Sequence, residues 1–184
     1  MIFTKKKSQA VSSIKADENG KYSFVGPHYV FDGDAKSYSA FRTRLIVLTA
    51  LITALWIVGG ILPSAGMLNC FYVIIPYFIL LLVSGGMTVW ASVRLITAGD
   101  HVRDYVFSAT VEALPRRSVA TLIMAVISLV AEIVFVILNG FDGRLIFTLI
   151  EFVVMAAIGA AALLLRKTVK RTGWNKVSRS LCDE

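Results

Sequence analysis

Residues 118–138 and 145–165 are two apolar runs of 21 residues each, separated by the short polar turn Asn139-Gly140-Phe141-Asp142-Gly143-Arg144. At 1.5 Å per residue each run makes about 30 Å of helix, the thickness of the hydrocarbon core of a bilayer. A turn of six residues returns the chain antiparallel, so the two runs pack side by side as a helical pair. Two more apolar runs precede them, at 42–62 and 68–97. The sequence therefore predicts an all-α integral membrane protein, a four-transmembrane-helix bundle. Composition agrees: a mean hydropathy of +0.72, with 57% hydrophobic and 17% charged residues, lies far outside the range of a soluble domain of 184 residues.

The basic residues set the expected threading, because Lys and Arg near span ends are retained on the cytosolic side. Residues 1–44 hold eight of the 19, the turn at 63–67 none, the connection at 94–117 four, the turn at 139–144 one and residues 166–184 six. One side thus carries eighteen and the other carries one. Both termini are expected in the cytosol, and the protein is expected in the plasma (cytoplasmic) membrane as a multi-pass chain. The net charge of +7 flanks apolar runs, so the bilayer accounts for it and nucleic acid is not expected as a partner. In the basic tail, 166–184, Arg166, Lys167, Lys170 and Arg171 are the expected contacts to lipid headgroups. Cys70 and Cys182 fall on opposite sides of this threading and are not expected to pair.

The cytosolic segments predict a small cap. Residues 1–20 are polar, carry no apolar signal core after Lys5-Lys6-Lys7, and read as a disordered N-terminus with no cleaved leader. Tyr22-Ser23-Phe24-Val25 and His28-Tyr29-Val30-Phe31, around Gly26-Pro27, read as a β-hairpin within 21–34. A lone hairpin is marginal in water, so it needs a support. The connection at 98–117 offers one: residues 105–111 have strong β preference and read as a possible third strand, with a surface amphipathic helix as the rival. In the second span Pro76 is expected to kink the helix near residues 73–77, and Gly85-Gly86 marks a second weak point.

Each of the last two runs carries one acid, Glu132 and Glu151, and no other acidic residue lies in a long apolar run. Glu132 is seven residues before Asn139 and Glu151 seven after Arg144, so both sit about 10 Å below the same surface. Each belongs to a polar or small stripe at helical spacing: Thr121, Ala125, Ser128, Glu132 and Asn139 on one run, and Arg144, Thr148, Glu151, Met155 and Ala162 on the other. If the stripes face, the carboxyls meet, and two carboxylates in low dielectric share a proton rather than both ionise. Glu132 and Glu151 are the expected proton or ion site, with Ser128, Thr148, Arg144 and Asn139 in support. The plainer reading has the acids gluing helices or docking a partner helix. The first two spans add only uncharged companions, Thr49, Thr53 and Trp56 on one and Tyr77, Ser84 and Thr88 on the other.

No phosphate-cradling glycine loop, nucleophile elbow or HExxH motif occurs, so no catalytic residue, metal or cofactor is expected. Both histidines, His28 and His101, lie in cytosolic segments, away from any intramembrane haem or metal site. The sequence favours a non-enzymatic membrane component, a subunit or accessory of a larger assembly that docks through its cytosolic hairpin. The alternative is a small proton- or cation-coupled transporter, working as a homo-oligomer through Glu132 and Glu151. Expected partners are the lipid bilayer and another membrane protein or a second copy of the chain.

Overall fold

The computed structural model describes residues 14–16, 22–24 and 27–177. An antiparallel strand pair comes first, β1 (Ile14–Ala16) and β2 (Tyr22–Phe24), with Ile14 opposite Phe24. β3 (His28–Phe31) then leads through Asp32-Gly33-Asp34 into α1 (Ala35–Ile61). Asp34 starts that helix, its carboxylate accepting the Ser37 amide at 3.1 Å. Hydrogen bonds from the Ser37 hydroxyl and amide hold the Asp34 carboxyl below its ordinary 3.8. With this cap in place the helix begins at residue 35, earlier than the expected 42.

Phe41, Leu45, Thr49, Ile52 and Gly59 form the buried face of α1, while Val47, Ile57 and Ile61 point outward. After Pro63-Ser64 comes one short turn, α2 (Ala65–Asn69). Cys70 is extended, with φ −146° and ψ 123°, and breaks the chain before α3 (Phe71–Ala98). The second span thus divides where the sequence predicts one run from residue 68. Within α3 the helix widens to π turns over Leu82–Val89, around Gly85-Gly86 and past Pro76. Neighbouring helices fasten this segment: Trp56 Nε1 donates to the Leu81 carbonyl at 2.8 Å and Arg117 Nη1 to the Met87 carbonyl at 3.1 Å. A Cβ on Gly85 would stand 2.7 Å from Trp56 Nε1, so only glycine lets the indole lie that close.

Gly99, at φ +79°, turns the chain into β4 (His101–Arg103), which runs directly into α4 (Asp104–Ala109). Then come α5 (Leu114–Asn139), a tight turn with positive φ at Gly140, Asp142 and Gly143, α6 (Leu145–Lys170) and β5 (Trp174–Val177). α1, α3, α5 and α6 are each long and apolar enough to cross a membrane. α5 packs along α6, α3 lies on α5, and α1 lies on α6 and closes against the second half of α3. The outside of the bundle is apolar, with Phe71, Leu82, Ile137, Ile146 and Val153 all more than two-thirds or nearly two-thirds exposed. Water does not tolerate such a surface on a monomer, and hydrocarbon does.

The small sheet sits at one end of the bundle, in the order β4-β3-β5 with both pairings antiparallel. Tyr29 faces Val102 on one side and Lys176 on the other. This corrects two expectations. Residues 22–24 pair with 14–16 and not with 28–31, because both edges of β3 are occupied by strands from later in the chain. Residues 105–111 do not supply the third strand: Asp104–Ala109 is helical, burying Val106 and stacking Phe107 on Tyr29 with ring centroids 3.8 Å apart. The strands come instead from 101–103 and from 174–177, a stretch the sequence presents only as basic tail. Residues 14–16 likewise form a strand inside the stretch read as disordered, whereas 1–13 and 17–21 lie outside the described residues.

Phe31 joins sheet to bundle. Its ring meets Phe41 at 5.7 Å and Trp174 at 5.6 Å, and Phe107 meets Trp174 at 5.9 Å. Beneath this cluster lie Leu45, Leu95, Leu114 and Leu165, each at most 2% exposed. We call this the sheet end, and the opposite end, with α2 and the 140–144 turn, the turn end.

Candidate functional site

The two polar stripes do face each other. On α5 the buried positions Ser118, Thr121, Ala125, Ser128, Glu132 and Phe135 recur every three or four residues, and on α6 so do Thr148, Glu151, Met155, Ile158 and Ala162. At the contact the side chains are small enough for close approach: a Cβ on Gly159 would stand 3.4 Å from the Ala125 Cβ. Glu132, Glu151 and Thr148 are each 0% exposed, and the two carboxyls lie within electrostatic range of one another.

α2 closes this site from the turn end. The Gly66 amide donates to Glu132 Oε1 at 3.3 Å, and the Ala65 amide donates to Thr148 Oγ1 at 3.3 Å. Gly66 is required, since a Cβ there would overlap the Glu132 carboxylate and stand 3.1 Å from Val73 Cγ1. Gly59 does the same for Tyr77, whose hydroxyl would be 2.6 Å from a Cβ on that residue. Tyr77 is a neighbour of Glu151, and Ser64 of Glu132. Neither pair closes into a hydrogen bond of good geometry. Among the described residues, Ser64 Oγ, Tyr77 OH, Glu132 Oε2 and both Glu151 oxygens are buried without a hydrogen bond of good geometry.

The expected supporting groups divide. Thr148 belongs to the site through the Ala65 amide. Ser128 and Asn139 instead bond to their own helix, at the Met124 carbonyl (2.8 Å) and the Phe135 carbonyl (3.2 Å). Arg144 reaches the Pro63 carbonyl at 3.4 Å, fastening the α1–α2 turn, and pairs with neither acid. The residues that sequence reasoning missed are Ser64, Ala65 and Gly66, which look like an ordinary turn after Pro63. Tyr77 stood only among six uncharged companions. A signal was present in the run Ser64-Ala65-Gly66, three small residues beside a span end, where backbone can approach another helix closely.

Five buried oxygens, two of them on one carboxyl group, form a polar cup inside an apolar bundle. An ionised carboxylate with no counter-charge is costly in such surroundings, and a bound proton or a hard cation relieves the cost. Among the described residues no group of three or more His, Cys, Asp and Glu side chains stands together, so the donor set is hydroxyl and carboxyl oxygen. At the sheet end, the four expected lipid contacts also divide. Lys167 and Arg171 line a cleft, Lys170 is exposed elsewhere, and Arg166 buries an unpartnered Nε. Comparison with protein-family models, with curated proteins and with solved structures found no match to this chain.

Proposed function

We propose that this chain is a non-enzymatic multi-pass protein of the cytoplasmic membrane, with both termini in the cytosol, that binds and exchanges a proton or small cation at Glu132 and Glu151. The distribution of Lys and Arg, eighteen against one, supports placing the sheet end inside and the turn end outside. The carboxyl pair then lies about 10 Å below the outer surface, close enough to exchange with it. The observation that carries the reading is the cup itself: Ser64, Tyr77, Glu132 and Glu151 bring five buried oxygens together, and among the described residues no basic side chain pairs with either acid.

A subunit of a larger assembly is the second reading. Its expected docking surface, the hairpin within 21–34, is not formed as such, since β3 is joined to the bundle through Phe31. One observation still favours it: β4 and β5 are the edge strands of the sheet among the described residues, and edge strands are where strand addition takes place.

The test is flux in proteoliposomes with the double variant Glu132→Gln/Glu151→Gln as control. Wild-type protein is expected to carry proton or alkali-cation flux, and the double variant to lose it while its unfolding midpoint stays near wild type. Undiminished flux in the double variant removes the site from the mechanism. No flux in wild type, with a stoichiometric foreign protein retained in mild detergent, establishes the subunit reading instead.

A further inference from the structure

The described residues enclose a cleft of about 770 Å³ between the first half of α1 and the last turns of α6, at the sheet end of the bundle. That volume is in the range of sites that hold a sizeable small molecule. Three cationic side chains line it: Arg44 from α1, Lys167 from α6 and Arg171 just past the end of α6. All three are solvent-exposed, and among the described residues none of them makes an ion pair or a side-chain hydrogen bond. Three cations lining one cleft outnumber its single acid and repel one another, so the arrangement suits an anion that bridges them.

The rest of the lining says what kind of anion. Val47 and Leu164 lie deeper along the same two helices, within the apolar spans, and both are exposed to the outside of the bundle. The cleft therefore grades from three cations at its mouth to an open apolar wall, the polarity profile of a lipid entering headgroup first. One acid, Asp32, also lines it; its amide bonds the Gly173 carbonyl at 3.0 Å, which keeps the residue on the sheet side. With three cations and one carboxylate, the lining carries a net charge of +2 at neutral pH. Under the threading already proposed, this mouth faces the anionic cytosolic leaflet.

We propose that the cleft binds the phosphate of an anionic phospholipid from the cytosolic leaflet, with Arg44, Lys167 and Arg171 around the headgroup and the acyl chains against Val47 and Leu164. The proposal rests on the threading but not on the carboxyl cup, so each can fail alone. It goes beyond a general attraction of basic tails to membranes, because it selects Lys167 and Arg171 and leaves out Lys170, and it adds Arg44 from α1, far away in sequence.

The test is binding of purified full-length protein, in zwitterionic micelles, to an anionic phospholipid, to a zwitterionic phospholipid and to inorganic phosphate. Native mass spectrometry reads retained lipid, and the unfolding midpoint reads stabilisation. The anionic lipid is expected to bind and stabilise, and the other two to do neither. Lys167→Gln should weaken anionic-lipid binding about fivefold, and the triple replacement of Arg44, Lys167 and Arg171 by Gln about a hundredfold. Lys170→Gln, on the same helix turn, should leave it unchanged, and Asp32→Asn should strengthen it. Should the triple variant not fold, Lys167→Gln against Lys170→Gln decides alone. Equal losses from those two, or equal binding of both lipids, overturn the site; stabilisation by inorganic phosphate alone overturns the lipid and leaves a free-anion site.

Discussion

The two ends of this bundle solve burial in opposite ways. At the sheet end, Phe31, Phe41, Phe107 and Trp174 interlock, with apolar side chains filling the space beneath them. At the turn end the centre is two carboxyls, a tyrosine and a serine. Of the seven buried side-chain polar atoms without a partner among the described residues, five belong to that one site. Unsatisfied groups concentrate where structure is kept for a purpose other than stability, and a well-filled aromatic cluster is where stability itself resides. The contrast teaches that the sheet end is packed as an anchor for the bundle, and the cup is where the proposed proton or cation exchange is assigned.

The sharpest way to break that contrast is a pair of substitutions, one at each end. Phe41→Ala removes a ring that is 7% exposed and touches both Phe31 and Trp174, and should cost about 3–5 kcal/mol, read as a lowered unfolding midpoint in detergent. Glu151→Leu replaces a buried acid without a counter-charge among the described residues by an apolar group of similar size and should cost nothing or raise the midpoint. Equal losses from the two would show that the cup carries stability like the cluster and would remove the reason for assigning it chemistry.

A smaller effect sharpens the geometry of the cup. Gly66→Ala drives a methyl group into the Glu132 carboxylate and against Val73, and should destabilise by about 1–3 kcal/mol. In a Glu132→Ala background the same change should cost clearly less, since its main obstacle is gone. Additive losses in that cycle would mean that α2 does not rest on Glu132.

How far the sequence led differs between the ends for physical reasons. Helix spans and the burial of Glu132 and Glu151 on inward faces were legible because periodicity along one helix fixes which residues share a face. The partners of β3 were not, since residues 101–103 and 174–177 reach it only after the chain has crossed the bundle and returned. Local reasoning paired 22–25 with 28–31 because they are adjacent, and it read 105–111 by β preference although Val106 and Phe107 bury themselves better from a helix. At the cup, the acids announced themselves as charges in apolar runs. Ser64, Ala65 and Gly66 did not, because their contribution is backbone amides and the absence of a side chain, which composition does not display.

The smallest effect concerns the entrance to the anchor. Asp34 caps α1 next to the sheet, and the Ser37 hydroxyl and amide hold its carboxyl below the ordinary 3.8. A carboxyl lowered on folding contributes stability that is complete above its unfolded value and is lost as pH falls through its folded value. The cap should therefore be at full strength at neutral pH and fail only below about pH 3.8. Asparagine caps helices as well as aspartate but does not titrate there. Asp34→Asn should accordingly match wild type at pH 7 and lose less of its midpoint as pH falls below about 3.8. Superimposable acid profiles would mean that the Ser37 contacts do not hold in solution, and that the start of α1, unlike the aromatic cluster it feeds, is not part of what anchors the sheet.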